Sequence, residues 1–234
     1  KIYFIKFYIK EIYMENTFLF SNDHLIMLLI FSVFLYLCPK LTKHLLPYSY
    51  IVEKVICILI ILEITFEQFS YISMGSYDVY TCLPIRIYRF ASYICIAILF
   101  FKNYQLFNIF FSWSLVCSIG GMIFFPNIGY RYPNILYYLF FFSNCILVYT
   151  TVYLTEVRKF TINKYALRDN FNFCILYFSF IYFLNTFTNA NYPYSFSSYS
   201  LLSSILFTLI TTIIYIPILF FNRELTFNFR SKKK

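Results

Sequence analysis

Four ionisable side chains stand where apolar sequence should exclude them. Glu63 and Glu67 are four residues apart inside the apolar run 49–69, and Arg86 and Arg89 are three apart, just after Pro84, in the run 82–101. On a helix, a spacing of three or four places both members of each pair on one face. Charge surrounded by hydrocarbon is costly, so such groups face a cavity or each other. One role is mutual neutralisation, with the carboxylates meeting the guanidinium groups and fixing helix packing. The other is a polar chamber that binds an anionic or zwitterionic ligand, for which the planar, two-pronged guanidinium suits carboxylate or phosphate.

Further polar residues fall toward the same ends of their runs. His24 follows Ser21, Asn22 and Asp23, which read as an N-cap. Asn144 lies in the run 134–155. Asn185 and Asn189 are one turn apart near the end of the run 171–189, followed by Asn191 and Tyr192. Singly, each is ordinary capping or interhelical hydrogen bonding; together they point to a site.

The elements that must position them are helices in a membrane. The chain has 234 residues, of which 61% are hydrophobic and 12% charged, with a mean hydropathy of +0.68. Soluble domains carry about 25% charge. Transmembrane barrels alternate polar and apolar residues, whereas these apolar runs are continuous and close to the roughly 20 residues of a membrane-spanning helix. The runs are 24–39, 49–69, 82–101, 105–125, 134–155, 171–189 and 200–221. The first is short before Pro39 and needs either Phe18 to Phe20 or a continuation past Lys40 to cross. The predicted fold is all-α, a polytopic bundle of about seven transmembrane helices.

Basic residues set the orientation. Lys40, Lys43, Lys102, Arg158, Lys159, Lys164, Arg168 and the tail residues Arg223, Arg230 and Lys232 to Lys234 all fall in alternate connections; the others hold Asp78 and Arg131. The positive-inside rule then gives N-terminus out and C-terminus in. The formal charge of +9 is thus assigned to topology, and no nucleic-acid partner is expected. Residues 1–13, with Lys1, Lys6 and Lys10 on the wrong side, are read as an upstream extension before Met14, the alternative being an interfacial helix. Residues 14–222 form one transmembrane domain and 223–234 a basic cytoplasmic tail.

The seven cysteines show no paired spacing and read as small buried apolar residues. No nucleotide-binding, zinc-protease or hydrolase motif is present, and no metal or cofactor is expected. Gly120 and Gly121 allow close helix approach. Pro217 is expected to kink the last run near its inner end. Trp113 and the many tyrosines are expected to anchor the interfaces.

Four short motifs carry a resemblance. Phe20-Ser21-Asn22-Asp23-His24-Leu25 is similar to an F-S-x-x-H-L opening, and Leu83-Pro84-Ile85-Arg86-Ile87-Tyr88 to L-P-L-H-L-C. Phe142-Ser143-Asn144 stands where a His follows Phe-Ser. Asn185 to Tyr194 is close to N-x-x-x-G-x-N-Y-x-Y. These motifs resemble the YwaF-like bacterial integral membrane proteins of about seven helices, distant relatives of a eukaryotic transmembrane acyltransferase acting on phospholipids. The resemblance implies that the chain spans a bacterial cell membrane several times. In the eukaryotic relative, acyl transfer needs a Cys and a His, as nucleophile beside base. At the motif positions this chain has Arg86, Tyr88 and Asn144, so the family's catalytic residues are replaced.

The leading expectation is therefore a membrane protein that binds a lipid headgroup or small anionic ligand in an outward-facing polar chamber. Its binding residues would be Glu63, Glu67, Arg86, Arg89, Asn144, Asn185, Asn191, Tyr192 and His24, and its partners membrane lipids. One alternative is a lipid acyltransferase with a rearranged site, using Cys145 with His24. Another is a transporter or a membrane substrate-binding subunit, although no paired interrupted helices are seen.

Overall fold

A computed structural model describes residues 21–124, 133–188, 190, 192 and 201–216. Every regular element among them is helical. Seven longer helices run α1 Asn22–His44, α2 Ser49–Ser73, α3 Ile87–Phe101, α4 Phe107–Phe124, α5 Ile135–Val152, α6 Ala166–Phe187 and α7 Leu201–Ile213. A four-residue helical turn, Val79–Cys82, links α2 to α3.

Local chemistry sets several ends. Ser21 caps α1 by accepting from the His24 backbone N–H, with Asp23 favourably placed in the first turn. Asn134 caps α5 by accepting from the Leu136 N–H at 2.9 Å. Lys102 closes α3 in the left-handed region, at φ 60°. Pro39 lies inside α1, which continues to His44; the continuation supplies the length that the run 24–39 lacked. Leu83 and Pro84 separate the Val79–Cys82 turn from α3, so that helix begins at Ile87 and not at residue 82. Arg86 is consequently its N-cap and lies outside the helix proper.

The bundle is turned inside out relative to a water-soluble protein. Glu53, Glu63, Arg89, Asn144 and Asn170 are buried, while Leu29, Ile58, Leu176, Phe183 and Leu202 are exposed on the periphery. Such an exterior suits hydrocarbon and not water. Two helical segments, Asn22–His44 and Ile135–Val157, are long and apolar enough to cross a membrane. They differ in position: 6% of the first segment's most apolar stretch is buried in the bundle, and 72% of the second's. α5 is the hub, packing against α1, α2, α3 and α4, while α6 and α7 pack on each other and on α4.

Small residues let α4 and α5 approach closely. The Ser114 and Thr151 hydroxyls are 2.5 Å apart. A Cβ on Gly121 would lie 3.5 Å from Phe140 and 3.6 Å from Asn144 Oδ1, whereas one on Gly120 would meet open space. Trp113 is not an interface anchor. It is fully buried and donates from Nε1 to Asn170 Oδ1 at 3.1 Å, since an indole N–H away from water needs an acceptor.

Residues 1–20, Arg131, Pro217 and the tail 223–234 lie outside the described residues.

Candidate functional site

α2 presents a buried stripe toward the bundle: Glu53, Ile56, Cys57, Ile60 and Glu63. Glu67 continues it one turn on. α3 runs antiparallel beside α2, which brings its first turn level with these two carboxylates. The Arg89 Nη2 donates to Glu63 Oε1 at 2.8 Å, and its Nη1 pairs with Glu63 Oε2. Nη2 also reaches Glu67 Oε2. Nη1 donates further to Ser143 Oγ on α5 at 3.2 Å, and the Tyr88 hydroxyl donates to Glu67 Oε1 at 3.2 Å. Four polar side chains from three helices thus close around one guanidinium. Its Nε is buried with no acceptor.

Arg86 differs from Arg89. It is half-buried and makes no ion pair among the described residues. It lines a small cleft with Glu67, Tyr71, Cys82, Leu83, Pro84, Tyr88 and Arg89. Tyr88, Tyr71 and Glu67 lie within its electrostatic reach. The cleft has a volume of about 10 Å³, about enough for one water-sized group. Whole-ligand pockets occupy about 300–1,000 Å³. The cleft is therefore a polar notch beside Arg86 and not an enclosed ligand pocket.

The other expected residues are distributed around this core. Asn185 acts as a clamp: its Nδ2 donates to the Tyr192 carbonyl at 2.8 Å, and its Oδ1 accepts from the Tyr192 N–H at 3.0 Å. Both sides of the amide are thereby engaged with backbone. Tyr192 is buried beside the Leu83 backbone. Burial raises its phenol above the ordinary tyrosine value, against the opposing pull of that backbone and of Arg86. Asn144 neighbours Ser143 in sequence but donates to the Phe140 carbonyl at 2.7 Å and lies toward Gly121 of α4. Phe140 also meets the Tyr88 ring, with centroids 6.3 Å apart. His24 is buried where α1 meets α4 and α5; its Nε2 is 2.7 Å from the Met122 carbonyl, and its ring lies against Phe141. Asn189 and Asn191 fall outside the described residues.

Three features escaped the sequence reading. Tyr71 and Ser143 complete the site; Tyr71 sits one turn beyond Glu67, so the 63–67–71 spacing was its signal. At the opposite end of α2, buried Glu53 holds two cations, Lys102 and Arg158 Nε at 2.8 Å. A π-helical turn, Tyr153–Val157, ends α5 and delivers Arg158 there. Finally, Asn170 accepts from Ser112 Oγ at 3.2 Å and from Trp113, and donates to Thr211 Oγ1 at 3.2 Å. It thereby ties α4, α6 and α7 together. Among the described residues, no group of three or more His, Cys, Asp or Glu could hold a metal ion.

Residues 19–219 match a family model described as the TMEM164 family. No curated protein and no solved structure matches the chain.

Proposed function

The chain belongs to the TMEM164 family of membrane proteins, and from that premise we propose that it is a YwaF-like multi-pass protein of the cell membrane whose outward-facing cleft binds a lipid headgroup or small anion through Arg86. All seven helices cross the bilayer in this reading, with the N-terminus outside and the C-terminus inside. α2 and α6 carry charges but keep apolar residues on their outer faces. The shorter α3, α4 and α7 are apolar.

A single observation carries the binding reading. Both terminal nitrogens of Arg89 are held by Glu63 and Glu67, while Arg86, three residues away, makes no ion pair among the described residues and lies beside the cleft within reach of Tyr88 and Glu67. The inner arginine builds the wall and the outer one meets the ligand. Glu67, Tyr71 and Tyr88 complete the recognition surface. The lining carries two cations, Arg86 and Arg89, and one carboxylate, Glu67, which suits an anion and leaves one acidic partner for a zwitterion. By the motif resemblance, Arg86, Tyr88 and Asn144 stand where YwaF-like proteins have His, Cys and His, which favours binding without acyl transfer.

The test uses the purified full chain in detergent. Inorganic phosphate and a short-chain phosphatidylcholine are titrated against wild type and Arg86→Gln, with thermal stability as the readout. Wild type is expected to be stabilised by at least one probe and Arg86→Gln by neither. Equal stabilisation of both proteins would remove Arg86 from the site. A response to the lipid alone identifies a headgroup; a response to phosphate alone identifies a free anion.

A further inference from the structure

The two ends of the bundle differ sharply in charge. At one end are Asp23, Glu63, Glu67 and Asp78 with Arg86 and Arg89; at the other, Glu53 is already held by Lys102 and Arg158. Beyond that held cluster, six exposed cations remain at the second end among the described residues: Lys40, Lys43, Lys54, Lys159, Lys164 and Arg168. Glu156 and Asp169 are the carboxylates near them, and Asp169 Oδ1 pairs with Arg168 Nη2 at 3.1 Å, with the Arg168 side chain 66% exposed. Glu156 is 3.9 Å from Lys159, with both side chains more than two-thirds exposed, so water screens that pair heavily.

Four of these cations stack on tyrosine rings. Lys40 Nζ lies 3.5 Å from the centroid of Tyr36, and Lys54 Nζ lies 4.5 Å from that of Tyr50. Lys164 and Arg168 share Tyr165, at 4.9 and 4.8 Å. Tyr36, Tyr50 and Tyr165 are themselves exposed. An exposed tyrosine at a helix end sits at headgroup depth, and a cation stacked on it keeps N–H donors for a further acceptor. The end of α1 packs against the π-helical turn that ends α5, which brings Lys40 and Lys43 toward the connection carrying Lys159. The basic residues of 223–234 follow α7 in sequence.

We infer that this basic end is a binding surface for acidic phospholipid headgroups, which its stacked cations hold at the membrane interface. Charge complementarity selects the occupant: a phosphodiester without a compensating amine meets six cations spread around tyrosine anchors, while a zwitterionic headgroup brings its own cation into the same field. Each surface cation of this kind changes affinity for an acidic membrane about fivefold. The inference rests on membrane location and not on the Arg86 cleft, which lies at the other end.

The experiment reconstitutes the full chain in vesicles of equimolar phosphatidylcholine and phosphatidylglycerol. It is then extracted in mild detergent, and the retained lipids are counted by mass spectrometry. Wild type is expected to retain phosphatidylglycerol in excess. Lys159→Gln/Lys164→Gln/Arg168→Gln should reduce that excess at least about fivefold, and Lys40→Gln/Lys43→Gln should reduce it independently. Asp78→Asn should leave it unchanged. Retention at the bulk ratio by wild type overturns the inference. So does an undiminished excess in both lysine variants. An excess abolished by Arg86→Gln alone would move acidic lipid to the cleft and overturn it as well.

Discussion

Arg89 on α3 grips Glu63 on α2 through both terminal nitrogens, with Nη2 donating to Oε1 at 2.8 Å and Nη1 to Oε2. This forked pair is buried, and Glu67 shares the same guanidinium. A guanidinium held by two carboxylates away from water orients helices while leaving little free charge, and its worth appears when one partner is removed.

Arg89→Met should therefore cost about 3–5 kcal/mol, because it leaves the buried Glu63 and the partly buried Glu67 without their cation. Replacing the whole cluster, as Arg89→Met/Glu63→Leu/Glu67→Leu, should restore most of that loss. Thermal unfolding in detergent checks both; a single variant as stable as wild type would show that the cluster holds nothing together.

Glu53→Ala should cost less than Glu63→Ala. The partners left behind, Lys102 and Arg158, are 34% and 28% exposed at their side chains and can reach water, whereas Arg89 is 1% exposed. Measuring the two variants side by side gives the order, and the reverse order refutes the distinction.

Asn170→Ala removes the acceptor of Trp113 Nε1 and Ser112 Oγ and should cost about 1–3 kcal/mol. Trp113 is the chain's single tryptophan. Its emission should be that of a buried indole in wild type and should shift to longer wavelength in the variant. Emission already at the water-exposed wavelength in wild type would contradict the placement.

Gly121→Leu should destabilise by about 1–3 kcal/mol by forcing α4 from α5, since a Cβ there already touches Phe140 and Asn144. Gly120→Leu should be close to neutral, because its side chain would enter open space. Equal effects at the two adjacent positions would rule out the close approach.

Much of this was legible in the chain itself. A continuous apolar run near bilayer length is a helix for local reasons, since each segment satisfies its own backbone. The start of α1 follows from its Ser21 cap, whereas α1 runs on past Pro39 and α3 starts only at Ile87, beyond what the runs 24–39 and 82–101 gave. The i to i+4 spacing of Glu63 and Glu67 placed them on one face before any neighbour was known. The meeting of this pair with an arginine was also readable, because a short connection makes α2 and α3 adjacent.

What the tertiary structure decided was which group meets which. Pro84 stops helical structure before Ile87, leaving Arg86 outside α3 and rotating Arg89 inward, so two arginines of one motif take opposite roles. Asn185 faces the Tyr192 backbone, Asn144 faces α4, and Trp113 faces Asn170; none of these directions follows from its own run. Helix formation depends on neighbours a turn away, and a single sequence records them. Pairing depends on the rotation and register of two helices against each other, which is settled by packing across the bundle among residues tens of positions apart.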